Sequence, residues 1–439
     1  MTVTSRWGMQ YQALLDVGFT VDNFTLDSAT NGILGTSVLD GTTSFVDITE
    51  YVQNININRG RSSQLDVFNA GTLNLLADDK AANRYFDPLN ESSPWYQGGL
   101  GIAPRRKIRV VAGTADIFNG FIYDLDINYG QPNLSSAQIS AVDALAQISQ
   151  TTLNAFTPPN ELASARISTI LDRGEVGFGT ATAPRQIETS VSSVGTAPYE
   201  AGTNTLQALQ QVQIAENGRF FATRSGAIRF DKRVQASFAT PTLTLGGTAA
   251  GAIPITALEN VYGAETVVNR VSVQISGSTA TSIADGTASQ ATYGIRSLAL
   301  SDVPLATDAA GSALAADLVS IYQDPVARFT GVSVNLNSLS SAQQNTMAAI
   351  EIGDVINVSR EFAAGSPTTI TQVVAVEAVR HTISANQHNI NLSLAPFTLL
   401  YNFTLDDPLL GQLSTQNALG TFDSFFMDVS SVDSGYTFT

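Results

Sequence analysis

Apolar and polar residues alternate along much of this chain. The runs YVQNININRG (51–60), KIRVVAG (107–113), FNGFIYDLDINYG (118–130) and NRVSVQISG (269–277) each put apolar side chains on one face and polar ones on the other. FTGVSVNLN (329–337), GDVINVSR (353–360), ITQVVAVEAVRHTIS (370–384) and HNINLSLAP (388–396) do the same. Most are rich in β-branched residues and bounded by Gly, Asn, Asp, Ser or Pro, which is the pattern of half-buried strands. Their spacing predicts antiparallel barrels or sandwiches rather than βαβ units.

Helical periodicity is confined to short stretches. AQISAVDALAQIS (137–149) reads as a strand that passes into a short helix. ELASARISTILDRG (161–174) gathers Leu162, Ile167, Ile170 and Leu171 near one face, with Gly174 as its stop. In TNTLQALQQVQIAENG (203–218), Leu206, Leu209 and Val212 recur at helical spacing, Asn204 or Thr205 can cap the start, and Gly218 ends it. DAAGSALAADLVSIYQDP (308–325) predicts a helix stopped by Pro325. NGRFFATRSGAIRFDKR (217–233) predicts a hairpin turning at Ser225-Gly226.

These elements predict a mainly β chain, α+β overall. A connector (1–45) leads to a first β-barrel domain (46–150) and an inserted small α+β domain (151–235). A second β-barrel domain (236–400) follows, interrupted by a helix near 308–323, and a C-terminal connector (401–439) ends the chain. The two connectors share a pattern. Phe24-Thr25-Leu26-Asp27 precedes Gly32 and Leu34, and Phe403-Thr404-Leu405-Asp406 precedes Gly411 and Leu413 at the same offsets. Each copy then reaches an F-x-D run, at Phe45 and Phe426, after a two-residue shift. Duplicated extended segments are one reading; coincidence in a Thr/Asp/Leu-rich background is the other. Phe24, Leu26, Asp27, Phe403, Leu405 and Asp406 are therefore candidate interface residues.

Composition narrows the chemistry. The chain has 439 residues, no cysteine and two histidines. That removes disulfide scaffolds, cysteine zinc sites, iron–sulfur clusters, thiol catalysis and any three-histidine metal site within one chain. Charged residues make up 14%, against about 25% in soluble proteins generally. Such a surface suits extensive burial in an assembly. The net charge of −16 argues against wrapping DNA. No apolar run approaches the roughly 20 residues of a membrane span, and the N-terminus lacks signal-peptide order, so no membrane anchor and a cytoplasmic origin are expected.

The search for catalytic chemistry is mostly negative. There is no GxxxxGK[ST], no GxGxxG between strand and helix, and no GxSxG. GGLGIAP (98–104) precedes a strand and reads as a loop. His381 and His388 flank the turn SANQ and can face each other, with Glu377 or Asp354 as a companion. A metal or acid–base pair is the chemical reading, and two polar strand residues beside a turn is the favoured one. Asp124 and Asp126 share one strand face, where a solvated face outweighs a glycosidase pair or a calcium loop, since the glycine of a calcium loop arrives one residue late. RYFDPLNESSPWYQGG (84–99) concentrates aromatic side chains. Trp95 and Tyr96 there suit a sugar-binding surface, a protein interface or a packed loop, three readings that the sequence leaves open. No enzyme activity, cofactor or metal is expected.

The most informative stretch runs from Val52 to Pro88. It holds Asn58-Arg59-Gly60-Arg61, Leu65, Phe68-Asn69-Ala70-Gly71-Thr72-Leu73 and Asn83-Arg84-Tyr85-Phe86-Asp87-Pro88. Pro104-Arg105-Arg106-Lys107-Ile108-Arg109-Val110 and Ile117-Phe118-Asn119-Gly120-Phe121-Ile122 follow. This order resembles the minor tail proteins of long-tailed actinobacterial phages. Leu206-Gln207-Ala208-Leu209 with Glu216-Asn217-Gly218, and Gly226 to Phe230, look like the helix–hairpin of phage tail hub proteins. Tyr293 to Arg296, Tyr322 to Arg328, and Gly353-Asp354-Val355-Ile356 look like their later segments, so the likeness covers about residues 50–396 in order.

The resemblance implies a structural virion protein with two hub-type barrels per chain. It would form a homotrimeric tail-tip or baseplate hub that matches a sixfold tail tube to a threefold tip. Its implied partners are further copies of itself, a distal tail protein, the tail tube or tape-measure protein, and other tail-tip or central-fibre proteins. Viral DNA would pass through without specific binding, past an acidic lumen that repels it. The alternatives are a distal tail protein, as a hexameric ring adaptor, and a carbohydrate- or receptor-binding tail protein.

Overall fold

The computed structural model describes residues 11–16, 45–62, 66–79, 83–96, 102–130, 134–178, 184–232, 241–263 and 267–396. Most of the alternating runs become strands of one 13-stranded sheet. Its principal strands fall into two sets. The first is β1 (Tyr11–Asp16), β2 (Val52–Gly60), β3 (Asn69–Asp79), β4 (Lys107–Ala112), β5 (Ala115–Gly130) and β6 (Leu134–Val142). The second is β7 (Thr244–Leu245), β8 (Ala257–Val261), β9 (Arg328–Asn335), β10 (Val355–Glu361), β11 (Thr369–Ser384) and β12 (Gln387–Pro396). In β2 the pattern works as read: Ile55 and Ile57 are buried while Asn54, Asn56 and Asn58 lie on the opposite face.

The two sets repeat one topology. Neighbouring strands run β2-β3-β6-β5-β4-β1 in the first and β8-β9-β12-β11-β10-β7 in the second. The long strands β5 and β11 each have 16 residues. Each carries a β-bulge against its following strand, between Ile122 and Asp124 in β5 and between Val376 and Ala378 in β11. Bulges bend a strand at a chosen point, so a bulge at the same place marks the same curvature. The sets differ at one end, where β1 pairs β4 antiparallel but the two-residue β7 pairs β10 in parallel. The short strand Phe45–Asp47 extends the first set beyond β1.

β11 joins the sets. Its first part pairs β10, while Ala378–Ser384 pairs β2 of the other set along the same edge. The close approach needs Gly60, which has φ +108 and whose Cβ, if present, would lie 2.2 Å from the Glu377 carbonyl oxygen. The buried faces of both sets merge into a single core that includes Leu15, Leu73, Ile108, Phe118, Val334, Ile356, Val376 and Ile390.

A second core holds the helices. α1 (Ala144–Ser149), α2 (Ala163–Leu171) and α3 (Thr205–Glu216) surround the hairpin Arg219–Ala222 and Ile228–Asp231. Asn204 caps α3 by accepting from the Gln207 N–H, and Asn217 ends it in the left-handed conformation. Asp143 likewise caps α1, directly after β6. The same core takes in α5 (Asp308–Tyr322) and a three-stranded sheet of Arg270–Ile275, Thr281–Asp285 and Ser297–Val303, while α4 (Thr287–Tyr293) lies between the second and third strands of that sheet in chain order. Val271, Val273, Leu314 and Leu318 pack there with Leu209 and Phe230. The buried residues thus group 267–322 with the insert, although chain order places that stretch inside the second β region. α6 (Ser341–Ala348) lies against the main sheet, with Met347 in its core.

Candidate assembly site and buried ionic junction

Three parts of the chain meet where β2 crosses to β11. Arg59 and Arg61 come from the end of β2, Arg219 from the inserted hairpin, Glu377 from the middle of β11, and Glu351 from the turn before β10. Glu377 is buried and accepts from Arg61 Nε at 2.7 Å and from Arg219 Nη2 at 2.8 Å. Arg59 Nη1 donates to Glu351 Oε1 at 2.8 Å, and the Arg224 N–H reaches the other oxygen at 2.7 Å. The Arg61 guanidinium also lies over the Phe68 ring, 4.5 Å from its centroid. Burial pushes the Glu377 carboxyl upward, but Arg219 and Arg61 outweigh it and hold the pKa below its usual value. These bonds tie both strand sets to the insert. Both Glu377 oxygens are engaged in them.

Asp143 lies behind the joint. Its carboxyl accepts from the Gly71 N–H at 2.7 Å and the Leu145 N–H at 2.9 Å. Burial nevertheless lifts its pKa to about 7.

The histidines do face each other. His381 Nδ1 and His388 Nε2 are 3.1 Å apart across the β11–β12 hairpin. Both are buried; burial holds His388 down to about 4 and drives His381 well below its ordinary value, with His388 adding to the effect. Neither suggested companion joins them: Glu377 is held by arginines, and Asp354 accepts from the Glu351 N–H. Among the described residues no cluster of three or more His, Asp or Glu side chains is placed to hold a metal ion.

The remaining candidates separate. Trp95 is buried, with its ring edge-on to Tyr51, Tyr85 and Phe86 at 4.8–5.7 Å. The loop therefore spends its aromatic surface on its own packing, and Tyr96 is half-buried beside it. Asp124 and Asp126 are exposed on β5. Phe24, Leu26, Asp27, Phe403, Leu405 and Asp406 lie outside the described residues. The run Asn58-Arg59-Gly60-Arg61 stood out in the sequence, but the partners of its arginines did not. The available signal was Glu377 itself, a lone carboxylate inside the apolar run VVAVEAV.

The exposed strand edges complete the picture. β8 pairs only β9, and the second half of β5 pairs only β6, among the described residues. Val261 and Tyr262 project at the first edge, and Tyr123 and Tyr129 at the second. Unpaired edges carrying exposed aromatics are places where another chain can add.

No protein-family model and no curated protein matches the sequence. Solved structures do match. A tail protein from Neisseria meningitidis MC58 superposes over 88% of this chain and 96% of its own, at TM-score 0.56 and 11% identity. The chain has the fold of a tail protein. The 43 kDa tail protein of prophage MuSo2 from Shewanella oneidensis agrees, covering 88% of this chain and 98% of its own at TM-score 0.52 and 12% identity. The shared fold therefore spans nearly the whole of both tail proteins.

Proposed function

We propose that this chain is a structural component of a phage tail, acting as a homotrimeric hub at the tail tip. The observation that carries the reading is the repeated strand order. Two units of one topology in each chain give three chains six similar positions, enough to meet a sixfold tube above and a threefold tip below. The tail-protein fold supports the setting, and the motif order resembling minor tail proteins of actinobacterial phages agrees with it. The low content of charged residues suits a chain largely covered by copies of itself and by distal tail, tube, tape-measure and fibre proteins. The net negative charge suits a channel that passes DNA without holding it. In this reading the role is one of joining, and the buried ionic joint that ties both strand sets to the insert suits it.

Native mass measurement of the purified chain tests the proposal. A trimer is expected. A hexamer would move the protein to the distal-tail ring, and a monomer at micromolar concentration would remove the hub reading. Labelled antibodies on intact virions should mark the end of the tail; labelling along the tube or at the head would contradict the assigned position.

A further inference from the structure

We propose that β8 of one copy pairs antiparallel with the free half of β5 in the next copy, repeating between chains the β2–β11 joint found within each chain. The inference rests on the trimer reading and names the surface that builds it.

Within the chain, a β2 strand covers the second half of a β11 strand, with Ile55 opposite Ile383 and Asn56 opposite Thr382. The counterpart of β2 in the other set is β8, and the counterpart of β11 is β5. Those two strands carry the open edges. Among the described residues, the set that supplies β11 leaves an edge of its β8 unpaired, and the set that supplies β2 leaves an edge of the second half of its β5 unpaired.

Burial shows what the uncovered edge lacks. Matching β5 to β11 at the bulge makes Tyr129 the counterpart of Ile383 and Asn128 that of Thr382. Ile383 is 1% exposed beneath its covering strand, whereas Tyr129 is 59% exposed. Leu125 and Ile127 are half-buried where their counterparts Val379 and His381 are fully buried. The second half of β5 thus has the core-facing positions of a covered strand with no covering strand among the described residues, although the Tyr129 hydroxyl donates to Asp87 Oδ2 at 2.9 Å.

The register follows. Leu75 of β3 faces Ile139 of β6 and Ile55 of β2. Val332 of β9 faces Leu392 of β12 and Leu258 of β8. Ile139 and Leu392 occupy the same place beside the two bulges, so Leu258 is the counterpart of Ile55 and Glu259 that of Asn56. Carrying the internal joint over sets Leu258 of one copy opposite Tyr129 of the next, and Glu259 opposite Asn128. Tyr262, 70% exposed just beyond β8, is then placed to be covered. Asp126 meets Glu259 on the diagonal, about 7–8 Å away. Salt screens that repulsion, so added salt should tighten association. Internal and external joints alternate around the assembly, and three copies supply six joints of one kind.

Cysteine cross-linking tests the register cleanly, because the chain has no cysteine of its own. Directly opposed residues have Cβ atoms about 4.5–5.5 Å apart, within reach of a disulfide. The full-length double variant Glu259→Cys with Asn128→Cys should, on oxidation, give covalent dimers and trimers on a non-reducing gel. Each single variant should remain a single chain, as should the off-register pair Glu259→Cys with Asp124→Cys. Both exposed positions leave the cores untouched, and circular dichroism checks the fold. Native mass is measured on the same reduced sample. A trimer that fails to cross-link, or that cross-links equally through Asp124→Cys, overturns the pairing and leaves the trimer standing. A reduced sample that is monomeric overturns both.

Discussion

Replacing Glu377 by Gln removes one negative charge from the centre of the joint and leaves Arg61 and Arg219 buried around a neutral amide. Glu377 is 1% exposed and makes charge-assisted bonds to both, at 2.7 and 2.8 Å. Removing one partner from a buried ion pair costs about 3–5 kcal/mol, because the remaining charge loses its compensation in a low-dielectric site. Two guanidiniums share the loss here, so the upper part of that range is expected. Urea unfolding followed by circular dichroism at pH 7 should show the drop in the transition that reports the β-sheet. Glu91→Gln, at an exposed turn of the 83–96 loop, serves as the control and should stay within about 0.5 kcal/mol of the parent. Because the Glu377 pKa is depressed in the folded state, its contribution is fully present above the unfolded carboxylate value and fades as pH falls through the folded one. The difference between parent and variant should therefore shrink in acid. An unchanged midpoint at pH 7, or a difference that grows in acid, would refute the assignment of Glu377 as the charge that holds the two strand sets and the insert together.

Gly60→Ala should be poorly tolerated, since the added Cβ meets the Glu377 carbonyl oxygen at 2.2 Å in a backbone conformation that suits glycine; soluble yield and thermal midpoint should both fall, and parent-like values would count against the close β2–β11 contact. Two buried groups give opposite pH slopes. His388, held neutral, gains stability as pH rises from about 4 to about 6.5, the unfolded histidine value, whereas Asp143, raised to about 7, loses stability from about 4 up to 7, at about 1.4 kcal/mol per unit at most. Denaturation midpoints of Asp143→Asn should accordingly fall less than those of the parent between pH 5 and pH 7, and parallel profiles would contradict the buried carboxyl. Trp95→Ala should cost about 3–5 kcal/mol by opening a cavity among Tyr51, Tyr85 and Phe86; a glycan array that loses signal with Trp95→Ala while stability is unchanged would instead favour a sugar-stacking role.

The strands were the legible part of the sequence. The runs read as 118–130 and 370–384 are β5 and β11 to within a few residues, because alternation over a one-sided core is a local signal. Caps were legible too: Asn204 caps α3, and α5 stops before Pro325. α6 was missed although Ser340 and Gln343 spell a capping box, since its eight residues carry almost no amphipathic pattern. The shared topology of the two sets was not legible in residue identities. ADIFNGFIYDLDINYG and TITQVVAVEAVRHTIS occupy the same place with hardly a residue in common, because a strand position asks only for side chains of suitable polarity on each face. The grouping of 267–322 with the insert was equally hidden, for alternation says that a strand has a buried face but not which core covers it. The ionic joint draws Arg61, Arg219 and Glu377 from three distant parts of the chain, a convergence that only the folded topology reveals.

The central claim is that each chain supplies two equivalent strand units to a ring of three. Cryo-electron microscopy of the purified full-length protein tests it most directly. The account predicts a threefold particle with six similar lobes around an open channel, neighbouring lobes joined alternately within and between chains by continuous sheet. A sixfold ring built of six chains, or isolated single chains, would contradict it.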